Sequence, residues 1–214
     1  PNLPEFSRRD LLRMEREVTG VYISGHPLDE FEEALSAMPS LENLIISAAS
    51  SAGVVDIPES WYNLVRPGII QYGPSPSNTM LNYLDLKYMM TVVSHITHVQ
   101  VVHKGETVGY GATYTAGKDM RIATIPIGYA DGYPRALSNK GAVLIGEKRC
   151  PIVGRICMDQ CMVDVTPVAD ISLADEIILF GSAGLTIDEV AAWLGTINYE
   201  IVCMISRRVP RVYK

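Results

Sequence analysis

Positive charge is in short supply. The chain carries 18 Lys and Arg against 24 Asp and Glu, a net charge of −6. That balance, with a pI near 5.2, excludes a general nucleic-acid binder, which would be basic. The one basic cluster, Arg207, Arg208, Arg211 and Lys214, reads as a solvated terminal strand. No apolar run reaches the length of a membrane-spanning helix, and no charged-then-apolar leader opens the chain. Cysteine is scarce too. Cys150, Cys157, Cys161 and Cys203 form no CxxC pair and have apolar neighbours. They read as reduced core or site cysteines of a cytoplasmic protein. His26, His95, His98 and His103 have no carboxylates at ligand spacing, so no metal is expected. His95 and His98 differ in parity along an expected strand and would face opposite ways. Repeats and low-complexity runs are absent.

What is present is ample apolar material, 48% of 214 residues, enough for one large domain or two modest ones. The mean hydropathy of +0.14 fits an apolar surface kept for a partner, and a large core would serve equally well. Ser7-Arg-Arg-Asp10, followed by Leu11, Leu12 and Met14, reads as an N-cap and an amphipathic helix. His26-Pro27 breaks it, and Leu28–Met38 is a second helical stretch with Leu28, Phe31 and Leu35 on one face. Ile45–Ala49 reads as a buried strand, Ser50-Ser51-Ala52-Gly53 as a small-residue turn and Pro58–Val65 as a short helix. Arg66–Gly73 then reads as a strand. Together these suggest a βαβ piece of a β/α barrel. The Pro/Ser/Asn loop Pro74–Asn82 marks a domain boundary.

Beyond that loop the pattern turns β. Strands are expected over Tyr88–His103, Arg121–Ile127, Ala142–Ile145, Ile152–Ile156, Met162–Val165 and Glu176–Phe180. Lys104-Gly105 and Gly146–Arg149 suit hairpins. The spacing favours a small β-barrel or sandwich, so the fold class is mainly β with one helix. That helix, Ile187–Leu194, has Thr186 as its cap, Glu189 completing a capping box and Gly195 ending it. Ile187, Val190, Ala191 and Leu194 form its buried face.

The stretch Val108–Arg135 offers Tyr110-Gly111 and Tyr129-Ala130-Asp131-Gly132 on either side of Ile122–Ile127. A tyrosine phenol can donate or take a proton where a site is built around it, although a packed residue with a solvated hydroxyl is the commoner reading. Three further stretches accompany it: Pro151–Gln160, Leu194–Glu200 and Ser206–Arg211. In this order the four resemble the C-terminal domain of alanine racemase, a pyridoxal-phosphate (PLP) enzyme, over about residues 46–214. Leu12–Glu30 resembles a segment of the bacterial replicative DNA polymerase III alpha subunit, within a like stretch over 3–38. That segment holds none of the polymerase's catalytic carboxylates, so no polymerase activity is implied. The expected organisation is a helical appendage (1–44), a remnant of the PLP-binding barrel (45–82) and the C-terminal β domain (83–214).

The resemblance implies interconversion of L- and D-alanine, supplying D-alanine for peptidoglycan, with PLP as cofactor. Tyr110 matches the tyrosine base that one subunit lends to its partner. Tyr129 matches a tyrosine at the substrate access corridor, where Arg135, Arg155 and Ile197 also match. Cys157 and Met158 match the stretch beside the substrate carboxylate, with the Met158 N–H donating. Ser51, Gly68, Ile69 and Tyr199 match contacts to the cofactor phosphate, and Arg66 the residue facing the pyridine nitrogen. A guanidinium there keeps that nitrogen unprotonated. Ser50-Ser51 stands where the family has Asn-Ser, which removes one amide. Nothing matches the lysine-bearing strand, and Lys87, Lys104, Lys118, Lys140, Lys148 and Lys214 sit in linker, hairpin or surface contexts. The chain alone should therefore racemise little. The implied partners are alanine and either a homodimer mate or a barrel-bearing racemase chain, with no nucleic acid and no membrane. Two alternatives stand beside this one: a non-catalytic dimerisation or docking module or gene remnant, and a replication-associated segment using residues 3–38.

Overall fold

The computed structural model describes residues 7, 10–14, 44–80, 85–182 and 184–213. The chain divides into two compact units, 1–46 and 47–214. In the first, residues 10–14 are helical. Ser7 Oγ accepts from the Asp10 N–H at 3.2 Å and donates to Asp10 Oδ2 at 2.6 Å, the cap its position called for. The break at His26-Pro27 and the stretch Leu28–Met38 lie outside the described residues.

The stretch where the first unit ends and the second begins differs from expectation. Residues 44–49 form no strand, and Ile45 is 73% exposed. Parallel pairing is slightly less stable per residue, and here it reduces to a single bridge between Ser50 and Arg66. The expected small-residue turn is instead helix α1, Ser51–Asp56. Its lack of bulk lets the next turn close in: a Cβ at Gly53 would lie 3.1 Å from Ser60 Oγ. The expected helix Pro58–Val65 shortens to a 3₁₀ turn, Pro58–Ser60. Trp61, Tyr62 and Leu64 beyond it are exposed, so further turns would bury no apolar face. Arg66–Gly73 is likewise not a strand; it holds the bridge at Arg66 and a 3₁₀ turn, Ile69–Tyr72.

The β region forms two main sheets and a small ribbon. Strands β1 (Val92–His95), β9 (Glu176–Phe180), β6 (Ala142–Ile145) and β7 (Lys148–Pro151) lie side by side in that order. Strands β2 (His98–Val102), β5 (Met120–Ile125) and β8 (Cys161–Asp164) form the second sheet. The ribbon pairs β3 (Thr107–Val108) with β4 (Tyr114–Thr115). An Ile152–Val163 bridge joins the end of β7 to β8, where a strand over Ile152–Ile156 was expected. The expected single strand Tyr88–His103 is split at Ile96-Thr97 between the two sheets. The Ile96 N–H donates to Asp175 and the Thr97 N–H to Thr124. His95 and His98 therefore belong to different sheets rather than to opposite faces of one strand. The β6–β7 hairpin turns through Gly146-Glu147, as its residues indicate.

There are two C-terminal helices, not one: α2 (Ile187–Leu194) and α3 (Asn198–Met204). Thr186 Oγ1 caps α2 by accepting from the Glu189 N–H at 3.1 Å, and Gly195 ends it. The Glu189 carboxylate does not close the capping box; it pairs with Arg149 on β7. Ile187, Val190 and Ala191 pack into a core with Ile125, Tyr133, Val143, Ile177 and Leu179. A smaller cluster of Val102, Val108, Met120, Ile122 and Val153 lies under the ribbon. Among the described residues, no helix is long and apolar enough to cross a membrane.

Candidate functional site

The candidate residues gather into two sets. The first surrounds the start of the 3₁₀ turn Ile69–Tyr72. Buried Ser51, at the first position of α1, accepts the Gly68 N–H through its Oγ at 2.8 Å. A hydroxyl and a backbone N–H from segments 17 residues apart thus converge on one point. Gly68 has no side chain to cover it, and a Cβ there would still sit 3.7 Å from Ser51 Oγ. The N–H groups at the start of a 3₁₀ turn have no partner within it, which suits an anion. With the Gly68 N–H taken by Ser51 Oγ, the Ser51 hydroxyl hydrogen and the Ile69 N–H are the donors left that fit a phosphate. Helix α3 packs beside the same turn and brings Tyr199, partly exposed, to this end of the molecule. Buried Asn198 fastens the arrangement: its Nδ2 donates to Ser75 O at 2.9 Å and to Asp188 Oδ1 at 2.7 Å. Arg66 is exposed and donates through Nη1 to the Ser47 carbonyl at 2.9 Å and to the Ser47 hydroxyl.

The second set lies on turns of the β region. Tyr110 opens a 3₁₀ turn, Tyr110–Ala112, flanked by Gly109 and holding Gly111 and Ala112 at positive φ. The turn leaves Tyr110 74% exposed, a phenol presented outward rather than packed. Arg155 lies under it, since a Cβ on Gly111 would come 3.5 Å from Arg155 Nε. Asn139 braces both: Nδ2 donates to Thr113 O at 3.3 Å, and Oδ1 accepts the Gly154 N–H at 2.7 Å. Ser138 Oγ accepts the Ile156 N–H at 3.0 Å, so the turn bearing Arg135 supports the segment bearing Arg155.

Tyr129 sits on a neighbouring 3₁₀ turn, Tyr129–Asp131, which rests on the 157–159 loop. The Tyr129 N–H donates to Cys157 O and the Ala130 N–H to Met158 O, both at 3.0 Å. Only glycine fits at 128, because a Cβ would fall 2.3 Å from both carbonyl oxygens. The other side of the turn meets the end of α3, where the Ser206 N–H donates to Asp131 O at 2.9 Å. Met158 is 53% exposed, and its N–H has no partner among the described residues. Cys157 is buried; desolvation raises its thiol pKa, and the nearby Arg135 pulls it down.

Some contributors escaped the sequence reading. Asp131, Asp159 and Arg208 form a charged chain, with Arg208 donating to Asp159 Oδ1 at 2.7 Å and lying 3.4 Å from Asp131 Oδ1. Arg211 donates to the carbonyls of Ser206 and Val209 at 2.5 Å and of Ile205 at 2.8 Å. The described arginines of the basic cluster are exposed, as expected, but they lie on turns and coil rather than on a strand. Residues 205–213 form turns and coil, and two of the arginines hold them in place. The signal lay in Ser206–Arg211, but nothing local names the carboxylates it meets. Every described lysine is exposed, and no group of His, Cys, Asp and Glu among the described residues could hold a metal.

Comparison with known proteins matches residues 89–213 to the family described as "Alanine racemase, C-terminal domain" and residues 22–76 to "Alanine racemase, N-terminal domain". The second match begins inside the stretch read as polymerase-like. The alanine racemase of Desulforamulus reducens is 54% identical over 166 residues, covering 77% of this chain and 45% of that protein. The crystal structure of alanine racemase from E. faecalis superposes with a TM-score of 0.78 at 34% identity, covering 98% of this chain and 54% of that one. The alanine racemase from Bartonella henselae with covalently bound pyridoxal phosphate gives a TM-score of 0.75 at 28% identity, covering 96% of this chain and 61% of that one. The chain spans about half the length of the relatives it matches.

Proposed function

Because the chain belongs to the alanine racemase family, we propose that it is the C-terminal portion of a PLP-dependent enzyme interconverting L- and D-alanine. In a bacterium this would serve peptidoglycan synthesis in the cytoplasm. The observation that carries the reading is an outward-facing Tyr110 phenol on a turn over Arg155, in a segment braced by the Arg135 turn and leading to the Met158 N–H, which has no partner among the described residues. The site is completed by a second chain, either a homodimer mate or a barrel-bearing racemase.

PLP, when bound, supplies an electron sink that stabilises negative charge at the substrate Cα. The chain's own residues do the rest. The Tyr110 hydroxyl exchanges the Cα proton on one face, and a base supplied by the barrel serves the other. The Met158 N–H donates to the substrate carboxylate, with Cys157 behind it. Tyr129, Arg135, Arg155 and Ile197 line the access corridor and select a small amino acid. The Ser51 hydroxyl, the Ile69 N–H and the Tyr199 hydroxyl would hold the phosphate, joined by the Gly68 N–H once it exchanges Ser51 Oγ for a phosphate oxygen, while Arg66 faces the pyridine nitrogen. The domain boundary falls near Pro74–Asn82, where the first family match ends at residue 76, ahead of the second at 89; because the first match begins at residue 22, an appendage is confined to the residues before it.

No described lysine is placed to bear the cofactor, so the isolated chain should racemise alanine little. The test is racemisation of L-alanine with added PLP by the chain alone, by a separately expressed barrel half and by the two mixed. Activity is expected only on mixing, and Tyr110→Phe should lower it by about 100-fold or more. Robust turnover by the chain alone would overturn the half-enzyme reading. Silence on mixing two folded halves would point to a docking module instead.

A further inference from the structure

Three segments far apart in sequence meet at one guanidinium. The Tyr129–Asp131 turn, the 157–159 loop and the coil after α3 bear, respectively, a corridor tyrosine, the carboxylate-facing N–H and the end of the helix that carries Tyr199. Arg208 Nη2 donates to Asp159 Oδ1 at 2.7 Å, and Nε lies 3.4 Å from Asp131 Oδ1. Asp131 is mostly shielded and also accepts the Gly128 N–H through Oδ2 at 2.9 Å. Two carboxylates raise the Arg208 pKa above its ordinary value, so its charge is permanent.

Resting on the racemase reading, we propose that Arg208 is a positioning residue for the Met158 N–H. Its guanidinium clamps Asp159, the next residue after Met158, to Asp131, which closes the turn bearing Tyr129. A backbone donor can orient a substrate carboxylate only if its peptide plane is fixed. The Met158 N–H shares its peptide plane with the Cys157 carbonyl, which accepts the Tyr129 N–H at 3.0 Å, and the next plane is held by the Ala130 N–H, which donates to Met158 O at 3.0 Å. Arg208 acts on both bonds at once, because joining Asp159 to Asp131 keeps the loop seated on the Tyr129–Asp131 turn that donates them. Geometry favours Arg over Lys, because one planar fork reaches two carboxylates from different segments. The loop is otherwise lightly held: Asp159 and Gln160 are exposed, and the Cys157 N–H to Gln160 O bond at 2.8 Å closes only the loop itself.

The experiment has two arms. In the chain alone, amide hydrogen exchange is followed at Tyr129 and Ala130, whose N–H groups bridge the turn to the loop. Arg208→Met should speed exchange there by about 10-fold while β5 amides stay protected, which certifies the fold. Unchanged protection at Tyr129 and Ala130 overturns the clamp. In the mixed halves, kinetics are compared for Arg208→Met and Arg208→Lys. The expected result is a KM for alanine raised about 10-fold or more with a smaller change in kcat, and only partial recovery in Arg208→Lys. An unchanged KM overturns the positioning role, as does full recovery by lysine. Mixed wild-type halves without activity would strike the racemase reading, and the exchange arm would still decide the clamp.

Discussion

Gly105 and Gly132 have nearly the same backbone conformation, φ +90° and +92°, in different surroundings. A Cβ at Gly105 would meet nothing within 4 Å, whereas at Gly132 it would lie 2.0 Å from Met204 O and 2.8 Å from Ile205 Cα. Gly105→Ala therefore costs the left-handed backbone alone, about 1–2 kcal/mol. Gly132→Ala costs the same strain plus a collision with backbone that no rotamer can relieve. Overpacking of this kind adds about 1–3 kcal/mol, for a total of about 2–5 kcal/mol. At this chain length each kcal/mol lowers Tm by about 2–4 °C. The expected shifts are thus a few degrees for Gly105→Ala and about 4–20 °C for Gly132→Ala. Urea titration with tryptophan fluorescence and a thermal scan would measure both. Ser206 and Asp131 should lose their backbone bond in Gly132→Ala alone, visible as faster exchange of the Ser206 amide. Equal destabilisation by the two substitutions would refute the reasoning, because it would leave backbone strain as the whole effect.

Burial separates the thiols. Burial pushes Cys161 up to about 12 and Cys150 up to about 11, while Cys203 is exposed. Iodoacetamide at pH 8 should label Cys203 in the native chain and all four in urea, and mass spectrometry of the digests would show it. The Tyr133 hydroxyl is fully buried without a hydrogen-bond partner among the described residues, and burial holds its pKa well above 10. Since the folded pKa is raised, its neutral form contributes stability below pH about 10 that is lost as pH rises toward the folded value. Tyr133→Phe should stabilise the chain by about 1 kcal/mol at pH 7 and flatten the alkaline decline, read by urea titration at pH 7 and 10.5. Lower stability at pH 7 would show that the hydroxyl has a partner.

The sequence determined the elements whose partners are local. Thr186, Glu189 and Gly195 delimit α2 because a cap needs only neighbours three residues away. Gly146-Glu147 turns β6 into β7, and the apolar run of β9 declares itself. The four ordered motifs named the family from residue types alone. What lay beyond reach depends on distant partners. Tyr88–His103 reads as one strand, yet it divides because Thr97 finds Thr124 and Ile96 finds Asp175. Ile45–Ala49 and Arg66–Gly73 carry strand-like composition, but composition does not supply a partner in register, and the two meet at one parallel bridge alone. Ser206–Arg211 was legible as a motif, while the roles of Arg208 and Arg211 were not. A guanidinium is defined by the carboxylates and carbonyls it reaches, and those of Arg208 lie 49 and 77 positions away, at Asp159 and Asp131. Local chemistry is written in the chain; long-range pairing is settled only when folding brings the partners together.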